Sequence, residues 1–492
     1  MDTYRNFIRG EWITSLSTRT IYNINPADTD DVIGIVRQAT RDEARAAVEA
    51  AAGAFPGWRS TPAPARGKIV ARAARLMEDH KEELSQLLTR EEGKTLAESR
   101  GELQRSINVA EFCAGESRRL NGETIQSELP LNFAYTIKQP LGVVACVTPW
   151  NFPVAIPVWK IAPALVAGNT VIFKPASLTP GTAVRIVEIF EEAGIPAGVL
   201  NLVLGSGSDA GDEIIGHPAV KAVSFTGSNS VGIRLYEQVS RRGAKVQCEM
   251  GGKNPVVVME DADLDLAVES TAQGAFGSSG QRCTATSRAV VVNDIADEFV
   301  ARMAARAGSM RLGNGADPST EMGPSVDENQ FKTVLQYIDI GREDGATLVC
   351  GGKQATGGSL DKGYFVQPTV FDSVTPDMRI AREEIFGPVL SVLRVKNFDE
   401  AMQVANDCEY GLSSSIFSND ASRIFRFVEE IETGMTHINS PTTGGEAHIP
   451  FGGIKGTGIG DREQGSTALD FYTDLKVVYV DYTGRKREGN LY

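Results

Sequence analysis

The chain has 492 residues, of which 42% are hydrophobic and 23% charged, and its 49 basic and 63 acidic residues give a net charge of -14. At about 150 residues per domain, this length exceeds one compact core and predicts two to four domains. The acidic balance argues against a nucleic acid or an anionic membrane as the main partner.

The first half of the chain predicts helices followed by a regular alternation. The N-terminal "MDTYRNFIRGEW" has no basic start before an apolar core, so we expect neither a secretory nor a transit peptide. Ala, Glu, Arg and Leu at helical spacing predict helices from Asp42 to Gly122, and residues 121–140 predict an irregular extension or a hairpin. Strands and helices then alternate up to residue 251, which predicts a parallel, doubly wound sheet.

The second half predicts another α/β block, from about Pro255 to Gly453, with strands such as "SRAVVVN" and "YFVQPTVF" between helices. The most membrane-like run, residues 154–173, contains Lys160 and predicts a buried helix and a strand, not a membrane span. The six cysteines form no C-x-x-C pair and the four histidines no metal-binding spacing. We therefore expect a reducing cytoplasm and no bound metal.

Glycine-rich turns after predicted strands suggest places for a nucleotide. The segment "GSGSDAG" (205–211) has one residue too many for G-x-G-x-x-G, "GTGIG" (456–460) follows no strand, and tight turns explain both equally well. The segment "SFTGSNSVG" (224–232) fits better, because Gly227 and Ser228 stand where a strand ends and a helix begins, a place that suits a pyrophosphate. An ordinary N-cap at Ser228 is the alternative.

Cys283 lies in "SSGQRCTATS" (278–287), between a turn and small hydroxyl residues. Structural cysteines usually lie among large apolar residues, so this polar setting favours a reactive thiol, with a merely exposed cysteine as the alternative.

Seven segments together resemble the aldehyde dehydrogenase superfamily, in its order and spacing. They are "TPWNFP" (148–153), "FKPAS" (173–177), "FTGS" (225–228), "EMGGKNP" (249–255), "GQRCTA" (280–285), "EEIFGPV" (383–389) and "PFGGIKGTG" (450–458). The resemblance implies an α/β fold in three parts: a Rossmann-type cofactor domain (1–121 and 142–251), an α/β catalytic domain (252–455), and a small β oligomerisation extension (122–141 and 468–492). It also implies a homodimer or a homotetramer.

The resemblance further implies the roles of three catalytic residues. Cys283 would add to the aldehyde as a thiolate. Asn151 and the cysteine backbone N–H would stabilise the oxyanion. Glu249 would be the general base that hydrolyses the thioester, which argues against transfer of the acyl group to coenzyme A. Retention of all three also argues against a non-catalytic, crystallin-like protein.

The cofactor residues that the resemblance implies are Trp150, Lys174, Ser177, Gly207, Gly227, Ser228, Met250, Glu384 and Phe386. Many NAD-specific relatives have a glutamate where this chain has Ser177. A carboxylate there would bind both ribose hydroxyls and repel a 2'-phosphate, whereas serine leaves room for it. The expected cofactor is therefore NADP or NAD, with NADP slightly favoured.

For the substrate, "INSPTTGGEAHIPFGGIK", "DREQG" and "RCTATSR" are most similar to bacterial α-ketoglutaric semialdehyde (2,5-dioxopentanoate) dehydrogenases. Succinic semialdehyde dehydrogenases come next, and a broad-range aldehyde dehydrogenase is a further alternative. A distal carboxylate on the substrate needs a cation, for which Arg282 is the first choice and Arg118 and Arg119 are alternatives. For each of these arginines a structural or surface role is the more usual interpretation.

Overall fold

The computed structural model describes residues 2–487. Residue 1 and residues 488–492, which belong to the predicted cofactor domain and oligomerisation extension, lie outside the described residues. The N-terminal stretch contains five short strands that the sequence analysis did not predict: β1 (Asp2–Tyr4), β2 (Asn6–Ile8), β3 (Glu11–Ile13), β4 (Thr20–Ile24) and β5 (Val32–Arg37).

The predicted helical quarter consists of four helices: α1 (Arg41–Ser60), α2 (Ala63–Asp79), α3 (Lys81–Glu92) and α4 (Leu96–Glu116). Two of them begin with a capping box. Thr40 and Glu43 start α1, and Thr95 and Glu98 start α4, each pair exchanging side-chain and backbone hydrogen bonds. The N-terminus of α4 is therefore well defined, which matters for the site described below.

After a hairpin of β6 (Thr124–Gln126) and β7 (Asn132–Pro140), strands and helices alternate. These elements are β8 (Val143–Val147), α5 (Ala155–Ala167), β9 (Thr170–Lys174), α6 (Pro180–Glu192), β10 (Leu200–Leu202), α7 (Asp212–Gly216), β11 (Val220–Thr226), α8 (Asn229–Ser240) and β12 (Lys245–Glu249). A π-helical turn, Gly207–Gly211, precedes α7.

The remaining elements form the second block and the C-terminal segment. They are β13 (Asn254–Val258), α9 (Leu264–Phe276), β14 (Thr286–Val292), α10 (Asn293–Ser309), α11 (Glu328–Glu343), β15 (Thr347–Cys350), β16 (Thr369–Asp372), α12 (Arg379–Arg382), β17 (Val389–Val395), α13 (Phe398–Asn406), β18 (Tyr410–Gly411), β19 (Ser413–Phe417), α14 (Ala421–Glu430), β20 (Met435–Ile438), β21 (Ile454–Lys455), β22 (Gly458–Ile459), α15 (Ala468–Phe471) and β23 (Thr473–Asp481). Two short 3₁₀ turns occur at Gly277–Gly280 and Gly358–Lys362.

The larger sheet has the strand order β22-β12-β11-β8-β9-β10-β2-β3, and its five central strands are parallel. Alternate residues of β8 pack on opposite faces: Val144 and Cys146 join the core formed with α5 and α6, whereas Val143 and Ala145 join the core formed with α1 and α8. Helices therefore cover both faces, and the predicted doubly wound α/β fold is confirmed.

The carboxyl ends of the parallel strands lie side by side along one edge of this sheet. Val147 pairs with Lys174 and with Phe225, and Thr226 pairs with Glu249. The loops that follow β8, β9, β11 and β12 thus leave the sheet side by side. Ligands bind beyond this edge in open α/β sheets.

The second sheet has the order β15-β16-β17-β14-β13-β19-β20 and is parallel except for the β15–β16 pair. A third sheet of three antiparallel strands, β23-β7-β6, joins the hairpin to the C-terminal strand. The strand β22 pairs with β12 of the first sheet. The three-domain division with its residue ranges stays a prediction.

Among residues 2–487, no helix is both long and apolar enough to cross a membrane. Over the same range, no group of three or more His, Cys, Asp or Glu residues is arranged to hold a metal ion.

Candidate active site

Cys283 lies between the 3₁₀ turn at residues 277–280 and β14, and it lines two cavities, of about 290 Å³ and about 230 Å³. The turn before it is strained, because Ser278 and Ser279 have φ of 49° and 56°. Burial raises the pKa of the Cys283 thiol to about 12, and the nearby Glu384 and Glu249 carboxylates add to the shift. The thiol is therefore protonated at neutral pH until a base removes its proton.

The larger cavity brings together eight of the residues predicted from the sequence. Those that line it are Trp150, Asn151, Gly227, Ser228, Met250, Cys283, Glu384 and Phe386. The rings of Trp150 and Phe386 meet edge to face with their centroids 5.4 Å apart. Loops from the first sheet and the segment before β17 thus meet in one cleft.

The turn between β11 and α8 presents free polar groups to this cavity. Ser228 occupies the N-cap position of α8, but its side chain makes no capping hydrogen bond. Ser228 is thus the N-cap residue by position, but its hydroxyl is not used to cap the helix. A Cβ at Gly227 would clash with the Phe225 ring, and a Cβ at Gly251 would clash with the Glu384 carboxylate. Both positions therefore require glycine for the cavity to keep its shape.

Glu384 is half-buried, and one of its carboxylate oxygens accepts a 2.9 Å hydrogen bond from the backbone N–H of Gly252. Burial raises the pKa of Glu384 to about 7, while this hydrogen bond and the nearby Lys253 ammonium lower it. The carboxylate thus lies beside the Gly251–Gly252 backbone at the end of β12.

Three predicted cofactor residues lie outside the lining of this cavity. Lys174 ends β9, donates a 3.1 Å hydrogen bond to the carbonyl of Pro175, and has its pKa lowered to about 8 by burial. Ser177 is half-buried in the loop that follows, and Gly207 is exposed at the start of the π-helical turn. The Lys174 side chain extends to this turn, because a Cβ at Gly211 would lie 3.4 Å from Lys174 Cε.

Glu249, at the end of β12, is also buried and lines neither cavity. Burial and the neighbouring Glu463 carboxylate raise its pKa well above the ordinary value, against the opposing charge of Lys160. Its Oε2 has no hydrogen-bond partner within residues 2–487. A side chain at Gly452, which has φ of 148°, would collide with its Oε1.

The Lys160–Glu463 ion pair behind Glu249 was missed by the sequence analysis. Lys160 is completely buried in α5 and also donates a 2.9 Å hydrogen bond to Ser224 Oγ. A lysine within the otherwise apolar run 154–173 was the available signal, because a buried lysine requires an acidic partner.

The smaller cavity is walled by aromatic rings and two arginines. Its lining residues are Glu98, Gly101, Glu102, Arg105, Phe152, Ile156, Trp159, Arg282, Cys283, Thr284, Thr443, Gly444 and Phe451. Arg282 lines this cavity, but its guanidinium pairs with Glu98 at 3.1 Å and bonds to Ser278 Oγ. Arg118 and Arg119 are exposed and do not line it, and Arg119 pairs with Glu116.

Arg105 is a cation in this cavity that the sequence analysis missed. Its guanidinium lies over the Trp159 ring, 5.3 Å from the centroid, and donates to Gln464 Oε1 at 3.1 Å. Its Nε has no partner, and no carboxylate pairs with it within residues 2–487. Glu98, Glu102 and Arg105 recur at helical spacing on α4, which was the available signal.

Comparisons with known proteins identify the family of the chain. The profile described as "Aldehyde dehydrogenase family" matches residues 12–478. An alpha-ketoglutarate semialdehyde dehydrogenase of Haloferax volcanii is 47% identical over 98% of this chain and 100% of its own length. An alpha-ketoglutaric semialdehyde dehydrogenase of Bacillus subtilis is 46% identical over 97% of this chain and 98% of its own.

The structure is also similar to that of betaine aldehyde dehydrogenase from Staphylococcus aureus in complex with NAD+, with a TM-score of 0.96 and 37% identity over 99% of this chain and 96% of that one. The chain belongs to the aldehyde dehydrogenase family. It is an oxidoreductase that oxidises small aldehydes with a nicotinamide cofactor.

Proposed function

We propose that the chain oxidises an aldehyde with a distal carboxylate, α-ketoglutaric semialdehyde, to the free acid. The smaller cavity carries this proposal, because Cys283 and the Arg105 guanidinium line the same space of about 230 Å³. A guanidinium without a carboxylate partner suits a substrate carboxylate, which it can bind with two hydrogen bonds. The names of the Haloferax and Bacillus relatives support the same substrate.

Arg105 is a better partner for that carboxylate than Arg282. The guanidinium of Arg282 is already paired with Glu98 and Ser278. Arg282 adds positive charge to the wall of the cavity. Its proposed role as a direct contact is therefore secondary.

The reaction begins with Cys283. Glu249, whose burial raises its pKa well above the ordinary value, can help water to remove the thiol proton, which passes on to solvent. The thiolate then adds to the aldehyde carbon, and the oxyanion that forms accepts hydrogen bonds from the Cys283 backbone N–H and the Asn151 side chain. One amide N–H of Asn151 donates to the Gln281 carbonyl at 3.0 Å, which leaves the other for the oxyanion.

The larger cavity suits a nicotinamide nucleotide. The Ser228 hydroxyl at the α8 N-terminus and the Gly227 and Gly251 backbone fit a pyrophosphate, and Glu384 fits a ribose. Trp150, Met250 and Phe386 supply apolar walls. A nicotinamide held by these residues would supply the acceptor for the hydride that leaves the thiohemiacetal carbon, and loss of that hydride leaves a thioester on Cys283.

We propose NADP as the preferred nucleotide. Ser177 places no carboxylate in the loop after β9, and the neighbouring Lys174 ammonium can pair with a 2'-phosphate. Gly207, in the turn that the Lys174 chain reaches, would leave room for the same end of the nucleotide.

Hydrolysis of the thioester completes the reaction. With the thiol proton already released to solvent, Glu249 removes a proton from water, which attacks the acyl carbon and expels the Cys283 thiolate; the thiolate then takes up a proton to restore the resting enzyme. A base at this position supports the free acid as product, in place of an acyl-coenzyme A.

We also propose a homodimer or homotetramer in the cytoplasm. The strand β23 is an edge of its sheet and exposes Leu475, Val477 and Tyr479. An exposed apolar edge is a site for pairing with another subunit. All six cysteines are unpaired, which suits a reducing compartment. Val477→Lys should reduce the mass measured by light scattering to that of a smaller assembly.

The proposal is tested with α-ketoglutaric, succinic and malonic semialdehydes and with pentanal, each with NAD and NADP and with or without coenzyme A. The expected result is the highest kcat/KM for α-ketoglutaric semialdehyde with NADP, independent of coenzyme A. An equal kcat/KM for pentanal would contradict the carboxylate subsite. A requirement for coenzyme A would contradict hydrolysis.

A further inference from the structure

A buried lysine next to the smaller cavity contacts the loop that carries Asn151. Lys94 lies just before Thr95, the N-cap residue of α4, and its side chain is 1% exposed. Its Nζ donates to Glu102 Oε2 at 2.7 Å and to the backbone carbonyl of Asn151 at 2.7 Å. The same ammonium lies 4.2 Å from the centre of the Phe152 ring. The lysine thus fixes two consecutive residues of the loop.

Glu102 fixes the other end of that loop. Its Oε1 accepts hydrogen bonds from the backbone N–H groups of Val154 and Ala155, at 2.9 and 3.1 Å, where α5 begins. The helix α5 has no side-chain cap from its own N-cap residue, so Glu102 supplies both the acceptor and the negative charge that a helix N-terminus favours. One ion pair therefore holds residues 151–155 at both ends.

The same turns of α4 also contact the loop that carries the thiol. Glu98 Oε1 accepts a 2.6 Å hydrogen bond from the backbone N–H of Ser278, in the strained turn before Cys283. Asn151 in turn donates to Gln281 in that loop. Both loops are thus attached to the start of one helix, and their relative position depends on it.

Stability alone does not account for a buried pair of this kind, because removing two charges from water offsets much of their attraction. The Lys94–Glu102 pair makes four contacts with residues 151–155: to the Asn151 carbonyl, the Phe152 ring, and the backbone N–H groups of Val154 and Ala155. A displacement of about 1 Å between reacting groups can cost about 100-fold in rate.

We propose that Lys94 and Glu102 are positioning residues of the reaction, which hold the backbone of residues 151–155 so that the Asn151 amide faces the Cys283 backbone N–H. They act on turnover through Asn151: Lys94 lines neither cavity, and although Glu102 lines the smaller one, its two carboxylate oxygens are bonded to Lys94 and to the N-terminus of α5. This inference rests on the proposed function, because it takes Asn151 as a donor to the oxyanion.

The test is a double-mutant cycle with Lys94→Met and Asn151→Ala, read as kcat and KM for the aldehyde and Kd for the nucleotide. Loss of one oxyanion donor costs about 100- to 1,000-fold in kcat. We expect Asn151→Ala in that range, a loss of at least about 10-fold for Lys94→Met, and a double variant no slower than Asn151→Ala. The nucleotide Kd should stay unchanged.

Arg100→Met is the matched control, because Arg100 lies on the same helix and pairs at the surface with Glu82. It should keep the kcat of the unmodified enzyme. If Lys94→Met does not fold, Glu102→Gln replaces it in the same measurements, because glutamine preserves the side-chain volume and one carbonyl acceptor.

The outcomes separate the two claims. A kcat unaltered by Asn151→Ala contradicts the proposed role of Asn151. Losses from Lys94→Met and Asn151→Ala that multiply in the double variant contradict positioning through Asn151. A normal kcat in both Lys94→Met and Glu102→Gln contradicts the inference outright.

Discussion

Replacement of Arg105 by methionine tests the carboxylate subsite most sharply. Methionine keeps much of the apolar contact with Trp159 but removes the charge and the hydrogen-bond donors of the guanidinium. A hydrogen bond to a charged group contributes about 1.5–3 kcal/mol, and Arg105 is half-buried in the cavity wall, so the loss should be only partly screened. We expect kcat/KM for α-ketoglutaric semialdehyde to fall by about 10- to 150-fold.

The assay compares this fall with that for pentanal, which has no carboxylate. Pentanal should lose less than about 3-fold, because its oxidation requires only the thiol, the oxyanion donors and the nucleotide. Arg282→Met should have a smaller effect on the ratio of the two substrates, since the Arg282 guanidinium is already paired with Glu98. An equal fall for both substrates in Arg105→Met would show that Arg105 supports the fold and does not bind the carboxylate.

Further predictions concern the catalytic and cofactor residues. Cys283→Ala should abolish turnover while the nucleotide still binds in a fluorescence titration; measurable steady-state oxidation would refute the mechanism. Glu249→Gln should give a burst of reduced nucleotide near one per site, followed by a steady-state rate about 100- to 10,000-fold lower. An unchanged steady-state rate would show that another residue is the base for hydrolysis. Ser177→Glu should shift preference from NADP towards NAD; a ratio of kcat/KM values that does not change would show that Ser177 does not face the 2'-position. Burial lowers the pKa of Lys174 to about 8, so its ammonium loses its charge as pH rises through that value. The preference for NADP should therefore decline between pH 7 and 9. A ratio of kcat/KM for NADP to kcat/KM for NAD that stays constant over this range would exclude Lys174 as the phosphate partner.

Sequence patterns predicted the parts of the site that depend on strand ends. Because Gly227, Glu249 and Lys174 each end or follow a parallel strand, the topology alone gathers them at one edge of the sheet. The motif around Cys283 likewise indicated a reactive thiol before any contact was known. Of the N-terminal strands that were missed, β1, β2 and β3 have three residues each, which are too few to show a period of two.

Contacts between segments distant in the chain could not be predicted in the same way. Arg105 reaches the smaller cavity because α4 packs against α5, and Lys160 meets Glu463 across 303 residues. In each case the sequence shows a charge on a helix but not the surface that it faces. The pairing of Arg282 with Glu98 depends on a similar long-range contact across 184 residues.

Direct detection of the acyl-enzyme tests the central claim, that an aldehyde is oxidised on Cys283. Glu249→Gln enzyme is mixed with α-ketoglutaric semialdehyde and NADP, quenched in acid, and analysed by intact and peptide mass spectrometry. The account predicts a mass increase of one α-ketoglutaryl group per chain, on the peptide that contains Cys283, formed together with the burst of NADPH. Formation of NADPH without acylation of Cys283, or with the acyl group on another residue, would contradict it.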